Sequence, residues 1–335
     1  MYSVDEIRHV HLEISTLCNA SCPWCPRTFW GYPYNGGYPE LNFTVDYAQH
    51  IFTPEFLSQL TVIMINGNYG DAVMNPETPD IVEYFRQHNK DLTIEISTNG
   101  SARNGDFWKR LAQAQVHVTF ALDGLEDTHH LYRQNTSWST VIKNAQTFIQ
   151  AGGHATWKMI EFDHNLHQID QCEKLSQTLG FKNFHRVNQG RNTAPVFDKQ
   201  GKLTHVMGNY TGEKEFTVLF HKKITDTVLL EDIVADRIPR QIECAVKKQR
   251  SVYIAANGDV SPCCHTGFYP HTYGAGQYHQ AANAQLKPIM KKNNALEYSL
   301  KECIEWFTEV EKTWTIPTFE QGRLVICNDV CGTTN

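Results

Sequence analysis

Little in this 335-residue sequence points to a membrane, to secretion or to nucleic acid. No segment approaches the ~20 apolar residues that cross a bilayer. The N-terminus, "MYSVDEIRHVHLEIS", carries acids where a signal peptide needs bases, and it lacks an apolar core of roughly 7–15 residues. Basic residues are not clustered: 30 Lys and Arg are scattered among 36 Asp and Glu, for a formal net charge of -6. That balance gives no support to binding nucleic acid or anionic lipid. Internal repeats and low-complexity tracts are absent as well. A cytoplasmic location is the expectation. There the ten cysteines face a reducing medium, so dense spacing points to metal or catalysis instead of disulfides.

Hydrophobic content of 41% and charged content of 20% suit a globular protein with a sizeable core. The length fits a large α/β domain with a smaller appendage. Strand-like runs occur at 9–15, 61–66, 92–97, 116–122, 156–162 and 182–187, with helix-like stretches between them. Thr53 followed by Pro54 is a helix start, and Gly152 and Gly153 close another helix. Such alternation implies a parallel sheet with right-handed crossovers, either an open doubly wound sheet or part of a (β/α) barrel.

Polar motifs follow the strands in turn. A cysteine cluster follows the first, "GNYGD" (67–71) the second, "STNG" (97–100) the third, "DGLED" (123–127) the fourth and "DHN" (163–165) the fifth. All lie at carboxyl ends, the edge where parallel α/β folds build their sites. Residues 28–50 are aromatic and rich in Gly and Pro, and read either as a surface loop or as a lid.

The cluster itself, "STLCNASCPWCPR" (15–27), crowds Cys18, Cys22 and Cys25 together, with Trp24 just before the last. Three thiolates can hold a four-iron, four-sulfur cluster by three irons and leave the fourth open to a small molecule. The alternative is zinc bound by these thiolates and a distant histidine, of which there are 16. Zinc ligands, however, usually come as paired doublets that close a small knot.

The C-x3-C-x2-C spacing, with its aromatic residue and its place after a first strand, resembles the radical S-adenosylmethionine (radical SAM) superfamily. That resemblance implies a partial (β/α)6 TIM-like barrel. It also implies a four-iron cluster whose open iron takes S-adenosylmethionine (SAM). An external one-electron donor of flavodoxin or ferredoxin type would drive reductive cleavage to a 5′-deoxyadenosyl radical, which abstracts a substrate hydrogen.

Other residues acquire roles by the same resemblance. Tyr69, Gly70 and Asp71 stand where the family has Gly-Gly-Glu against the methionine amine, with Tyr for the first Gly and Asp for Glu. Ser97 and Asn99 occupy the ribose-contacting positions. Asp123 and Arg133 follow the fourth strand, where relatives with an extra cluster use an arginine on the cofactor carboxylate; a helix-surface ion pair is the plain alternative. Asn165 either lines the same pocket or caps a helix.

Towards the C-terminus, "SVYIAANGDVSPCC" (251–264) reads as a hairpin around Asn257-Gly258, with both turn residues expected at positive φ. Cys244, thirteen residues, Gly258, four residues and Cys263 resemble the start of an auxiliary-cluster module. Cys327 and Cys331 would complete a second four-iron cluster, as in the shorter twitch form of the SPASM-type module. Cys264 would face away from Cys263, because neighbouring strand residues alternate. Cys172 and Cys303 read as small buried hydrophobes.

The expected organisation is a barrel over 1–190, a bridge over 191–240 and a small α+β module over 241–335. An auxiliary cluster suits oxidation or cross-linking of a peptide residue, alcohol or sugar. Epimerisation is the redox-neutral option, with Cys264 as candidate hydrogen donor. Cys18 stands too near the start for a preceding leader-binding domain, so a peptide substrate would need a separate recognition protein or direct binding. An iron–sulfur electron carrier or a zinc-stabilised scaffold would explain the cysteines but not five polar loops on one rim.

Overall fold

The computed structural model describes residues 1–33, 39–188, 194–208, 230–268 and 284–333. Part of the 28–50 excursion (34–38) and much of the 191–240 bridge (191–193 and 209–229) lie outside the described residues.

Six strands pair in parallel in the order of the chain: β1 (His9–Leu12), β2 (Val62–Ile65), β3 (Thr93–Thr98), β4 (His117–Ala121), β5 (His154–Ile160) and β6 (Asn183–Val187). This is the partial (β/α)6 barrel. The other edge of β1 is taken by β7 (Ser251–Ile254), also parallel, and β8 (Val260–Ser261) returns antiparallel to it. The C-terminal hairpin therefore continues the barrel sheet, making eight strands, and covers an edge that would otherwise be open.

Alternation decides which face is which. In β3, Ile94, Ile96 and Thr98 are buried while Glu95 is exposed. The apolar phase packs under α1 (Thr78–His88), α2 (Gly105–Gln113), α4 (Trp138–Gln150) and α5 (Ile169–Leu179), whereas α3 (Glu126–Tyr132) turns Tyr132 into a separate cluster with Cys22 and Phe162. Asn104 caps α2 by accepting from the Phe107 amide at 3.1 Å, which turns Phe107, Trp108, Leu111 and Ala112 inward. Trp108 lies 5.2 Å from Phe120 of β4 and 6.5 Å from Phe148 of α4. Truncating such a residue to Ala costs about 3–5 kcal/mol. Cys172 and Cys303 are fully buried in this same core.

The opposite phase is polar and partly open. His11 pairs in register with Tyr253 on one side and Met64 on the other, and Met64 with Glu95. Charged and hydrogen-bonding side chains on the uncovered face of a partial barrel leave room for a polar guest.

One turn departs from expectation. Gly258 has φ +86°, but Asn257 is not in the left-handed region. The Gly258 amide donates to Ala255 O at 2.9 Å, and the Asn257 side chain accepts from the Asp259 amide at 3.1 Å. The loop thus has three residues and one left-handed glycine, since a local side-chain bond holds Asn257 in ordinary backbone. A Cβ on Gly258 would also meet Leu296 Cγ at 2.7 Å.

Candidate functional site

The loop after β1 carries Cys18, Cys22 and Cys25 over the carboxyl edge of the sheet. Tight turns hold it: the Cys25 amide donates to Cys22 O at 3.0 Å, and Thr28 Oγ1 donates to the same carbonyl at 2.7 Å. Arg27 Nη1 donates to Cys18 O at 2.8 Å. Cys25 lies close enough to raise both of the other thiols. Burial first, then Asp71, Cys25 and Cys22, hold the Cys18 thiol well above its usual range. Burial pushes Cys22 up to about 11 against the opposing pull of Arg133. Trp24, 39% exposed, stands at the outer side of the loop.

Two nitrogen donors from other loops point at these sulfurs. Asn99 Nδ2 lies 3.6 Å from Cys18 Sγ, and Arg133 Nη1 lies 3.7 Å from Cys22 Sγ. Each donor is held from behind. Asn99 Nδ2 also donates to Asn19 at 3.0 Å, and Asn99 Oδ1 accepts from Ser101 Oγ at 2.7 Å. Arg133 Nε donates to Asp123 Oδ2 at 2.6 Å, while Asp123 Oδ1 accepts the Ile160 amide at 2.6 Å. Burial opposes the charge on Arg133, yet Asp123 foremost, with Cys22 beside it, keeps it firmly ionised. The pair is almost fully enclosed, unlike a helix-surface ion pair.

The second-strand loop closes in beside them. Asp71 is buried and accepts from Thr98 Oγ1 at 2.6 Å, the Asn99 amide at 2.7 Å and the Val73 amide at 3.1 Å. Desolvation raises its carboxyl despite these bonds. Asp71 thus fastens the second-strand loop to the third. Gly70 is required for closeness, since a Cβ there would collide with the Ser15 carbonyl. The Asp71 amide donates to Leu17 O at 2.8 Å, immediately before Cys18.

Not every expected residue converges. Ser97 lies on the opposite phase of β3 from Thr98 and makes no hydrogen bond to another described side chain of the site. Asn165 spends its amide inside its own loop, accepting from the Phe162 amide at 2.9 Å and donating to Ile160 O at 3.0 Å. The described part of the 28–50 excursion packs down through Trp30, stacked 6.2 Å from Phe197, and the Phe197 amide donates to Trp30 O at 2.8 Å.

The second cysteine group assembles from three distant segments. Cys244, Cys263, Cys327 and Cys331 line one cavity, with Pro262, Trp314 and Ile326 as apolar walls. Helix α6 (Val325–Cys331) carries two of them four residues apart, on one face. The Glu243 amide donates to Cys331 O at 2.9 Å, which draws the Cys244 segment alongside. A hydrogen bond with Cys331 and the amides of Lys247 and Val246 favour the thiolate of Cys244. Burial and its cysteine neighbours push Cys327 up to about 12. Cys264 is not in this cavity; its carbonyl accepts from Asn68 Nδ2 at 2.8 Å, on the barrel side.

Sequence reasoning missed Glu13, Asn68 and Tyr253. Glu13 is 1% exposed and accepts from the Tyr69 amide at 2.7 Å, the Gly70 amide at 3.0 Å and Tyr253 Oη at 2.6 Å. A carboxylate among the apolar residues of "HVHLEIS" was the available signal, because an acid there must find partners when the strand is buried.

Among the described residues no three His, Cys, Asp or Glu side chains stand close enough together for one metal ion. The all-thiol donor sets, with N–H groups aimed at sulfur in the first, fit iron–sulfur clusters.

Residues 12–160 match the radical SAM superfamily. Similar solved structures include SuiB of Streptococcus suis bound to S-adenosylmethionine, with a TM-score of 0.55 at 14% identity over 88% of this chain and 65% of SuiB. Native anSMEcpe with bound AdoMet gives 0.55 at 17% identity, over 97% of this chain and 92% of that one. BtrN in complex with AdoMet and 2-DOIA gives 0.50 at 12% identity, over 98% and 95%. The chain spans 65% of the length of SuiB. At such identities the likeness is one of fold. No curated protein sequence matches the chain. The matched segment covers less than half of the chain. No helix among the described residues is long and apolar enough to cross a membrane.

Proposed function

We propose that this protein is a radical SAM enzyme with two four-iron clusters, acting on a residue of a peptide or on a small alcohol or sugar. The observation that carries this reading is the convergence on one three-cysteine loop of donors from separate rim loops: Asn99 on Cys18, Arg133 on Cys22, and Asp71 behind Asn99. Cys18, Cys22 and Cys25 would hold the first cluster, and Cys244, Cys263, Cys327 and Cys331 the second. When bound, the first cluster with SAM supplies a one-electron route to hydrogen abstraction.

The chain's own residues do the positioning. Arg133, aligned by Asp123, offers a planar fork to the SAM carboxylate. The backbone at Tyr69 and Gly70 offers carbonyls to the methionine amine, and Asn99 offers an amide to the ribose. Buried Tyr132 and Phe162, whose rings lie 4.6 Å apart, wall the loop off from water. An external one-electron donor completes the requirements.

Peptide substrates are favoured by company: SuiB has been seen with its precursor peptide SuiA, and anSMEcpe with the Cp18Cys peptide. An electron-accepting second cluster suits oxidation or cross-linking more than epimerisation. Cys264, on the barrel side of its loop, stands as the hydrogen donor if the outcome is epimerisation. Anaerobic reconstitution tests the reading. About eight irons per chain, with methionine and 5′-deoxyadenosine released from SAM on reduction, is the expected result. Bound zinc and intact SAM would overturn it.

A further inference from the structure

In the loop after β2, the Tyr69 side chain turns away from the three-cysteine loop and into the C-terminal segment. Its hydroxyl donates to Phe268 O at 2.9 Å, and its ring stands edge-on to Phe268 at 5.6 Å. Asn68, one residue earlier, donates to Cys264 O at 2.8 Å, next to Cys263. Below them Glu13 accepts the Tyr69 and Gly70 amides on one oxygen and Tyr253 Oη on the other. Segment 263–268 lies flat on the Tyr253 ring, where a Cβ on Gly267 would collide with ring carbons. That segment is itself stiffened, because the Gly267 amide donates to Cys263 O at 2.9 Å and Thr266 Oγ1 to the same carbonyl at 2.9 Å. On its other side, loop 67–71 rests on Ser15 and Leu17, directly before Cys18.

We propose that Glu13, Asn68, Tyr69 and Tyr253 form a clamp through which the four-cysteine site sets the position of loop 69–71, so that filling that site and binding SAM are thermodynamically coupled. This rests on the radical SAM reading above. The four are positioning residues, since they act through backbone at 69–71. Tyr in place of the expected glycine then has a purpose: its backbone faces the cofactor side while its side chain reaches Phe268, at the far end of the segment that carries Cys263. Reciprocity follows from linkage, so SAM tightens the second site by the same factor that the second site tightens SAM.

SAM affinity, read from the SAM-dependent change in the electron paramagnetic resonance of the reduced first cluster, tests the coupling. The comparison is between the doubly loaded protein and a Cys327→Ser/Cys331→Ser variant loaded at the first site alone. Loss of the second site is expected to weaken SAM about tenfold, within the usual range of such couplings. In a Tyr69→Phe background the same comparison should shrink below about twofold. A cysteine variant that binds SAM as tightly as the doubly loaded protein overturns the clamp, as does a Tyr69→Phe protein that keeps the tenfold ratio.

Hydrogen exchange on the metal-free full chain separates this from failure of the enzymatic reading. Tyr253→Phe is expected to speed exchange of the Tyr69 and Gly70 amides about tenfold while leaving β4 and β5 unchanged. Unchanged exchange at those two amides overturns the clamp whatever the protein binds.

Discussion

The two cysteine groups are built in opposite ways. The first is local, three thiols in one loop, and is ringed by polar side chains from other strand ends: Asn99, Asp71, Asp123 and Arg133. The second draws four thiols from segments up to 87 residues apart, counted from Cys244 to Cys331, into a cavity with apolar walls. A site that must receive and orient a charged small molecule needs fixed dipoles around an open position. One that only stores an electron needs thiolates and exclusion of water. On the proposed reading, the contrast in surroundings, more than the count of cysteines, would separate a chemical site from a supporting one.

That contrast can be broken at several points. The largest effect is expected from Cys25→Ala, which should abolish reductive SAM cleavage and halve the iron content, measured by product release and iron assay. Cys327→Ala should also halve the iron yet retain SAM cleavage, with loss confined to substrate turnover. If both variants lose cleavage equally, the two sites are not functionally distinct.

Arg133→Gln sharpens the polar side of the comparison. It leaves buried Asp123 without its partner, for an expected loss of about 3–5 kcal/mol in urea unfolding, together with weaker SAM binding. Unchanged stability would mean that water or another group reaches Asp123.

Acid should loosen the surroundings of the first site. His129 is 1% exposed and accepts the Asp123 amide at 3.2 Å on Nδ1. Burial, then Arg133, lowers it from 6.5 to about 3. The unfolded chain therefore binds a proton that the folded chain refuses between these values, so stability falls as pH drops through that window. From pH 7 to 5 one such group removes about 2 kcal/mol. Urea unfolding of a His129→Asn variant should show a shallower pH dependence over the same range. The smallest effect is expected at Cys264: the Ala variant should keep about eight irons, and altered turnover or product stereochemistry would mark the thiol as a hydrogen donor.

Much of this was legible in advance for identifiable reasons. Short strand-like runs separated by helix-like stretches marked all six barrel strands, because strand and helix periods are local. Thr53 does cap its helix, accepting the Phe56 amide at 3.3 Å, because that bond is made within four residues. The hairpin was visible too, although its turn was assigned one left-handed residue too many. Arg133 remained ambiguous until Asp123, ten residues away, was seen to meet it inside the protein.

What the linear sequence determined is whatever acts over a few residues: the strand and helix periods, the caps, and the three-cysteine loop with its aromatic neighbour. Only the tertiary structure decided that β7 joins the edge of β1, that Glu13 holds loop 69–71 to Tyr253, and that four scattered thiols share one cavity. Those contacts join residues up to 242 positions apart, from His9 to Ser251. No local propensity encodes such pairings; the packing of the sheet and the need to satisfy buried polar groups select them.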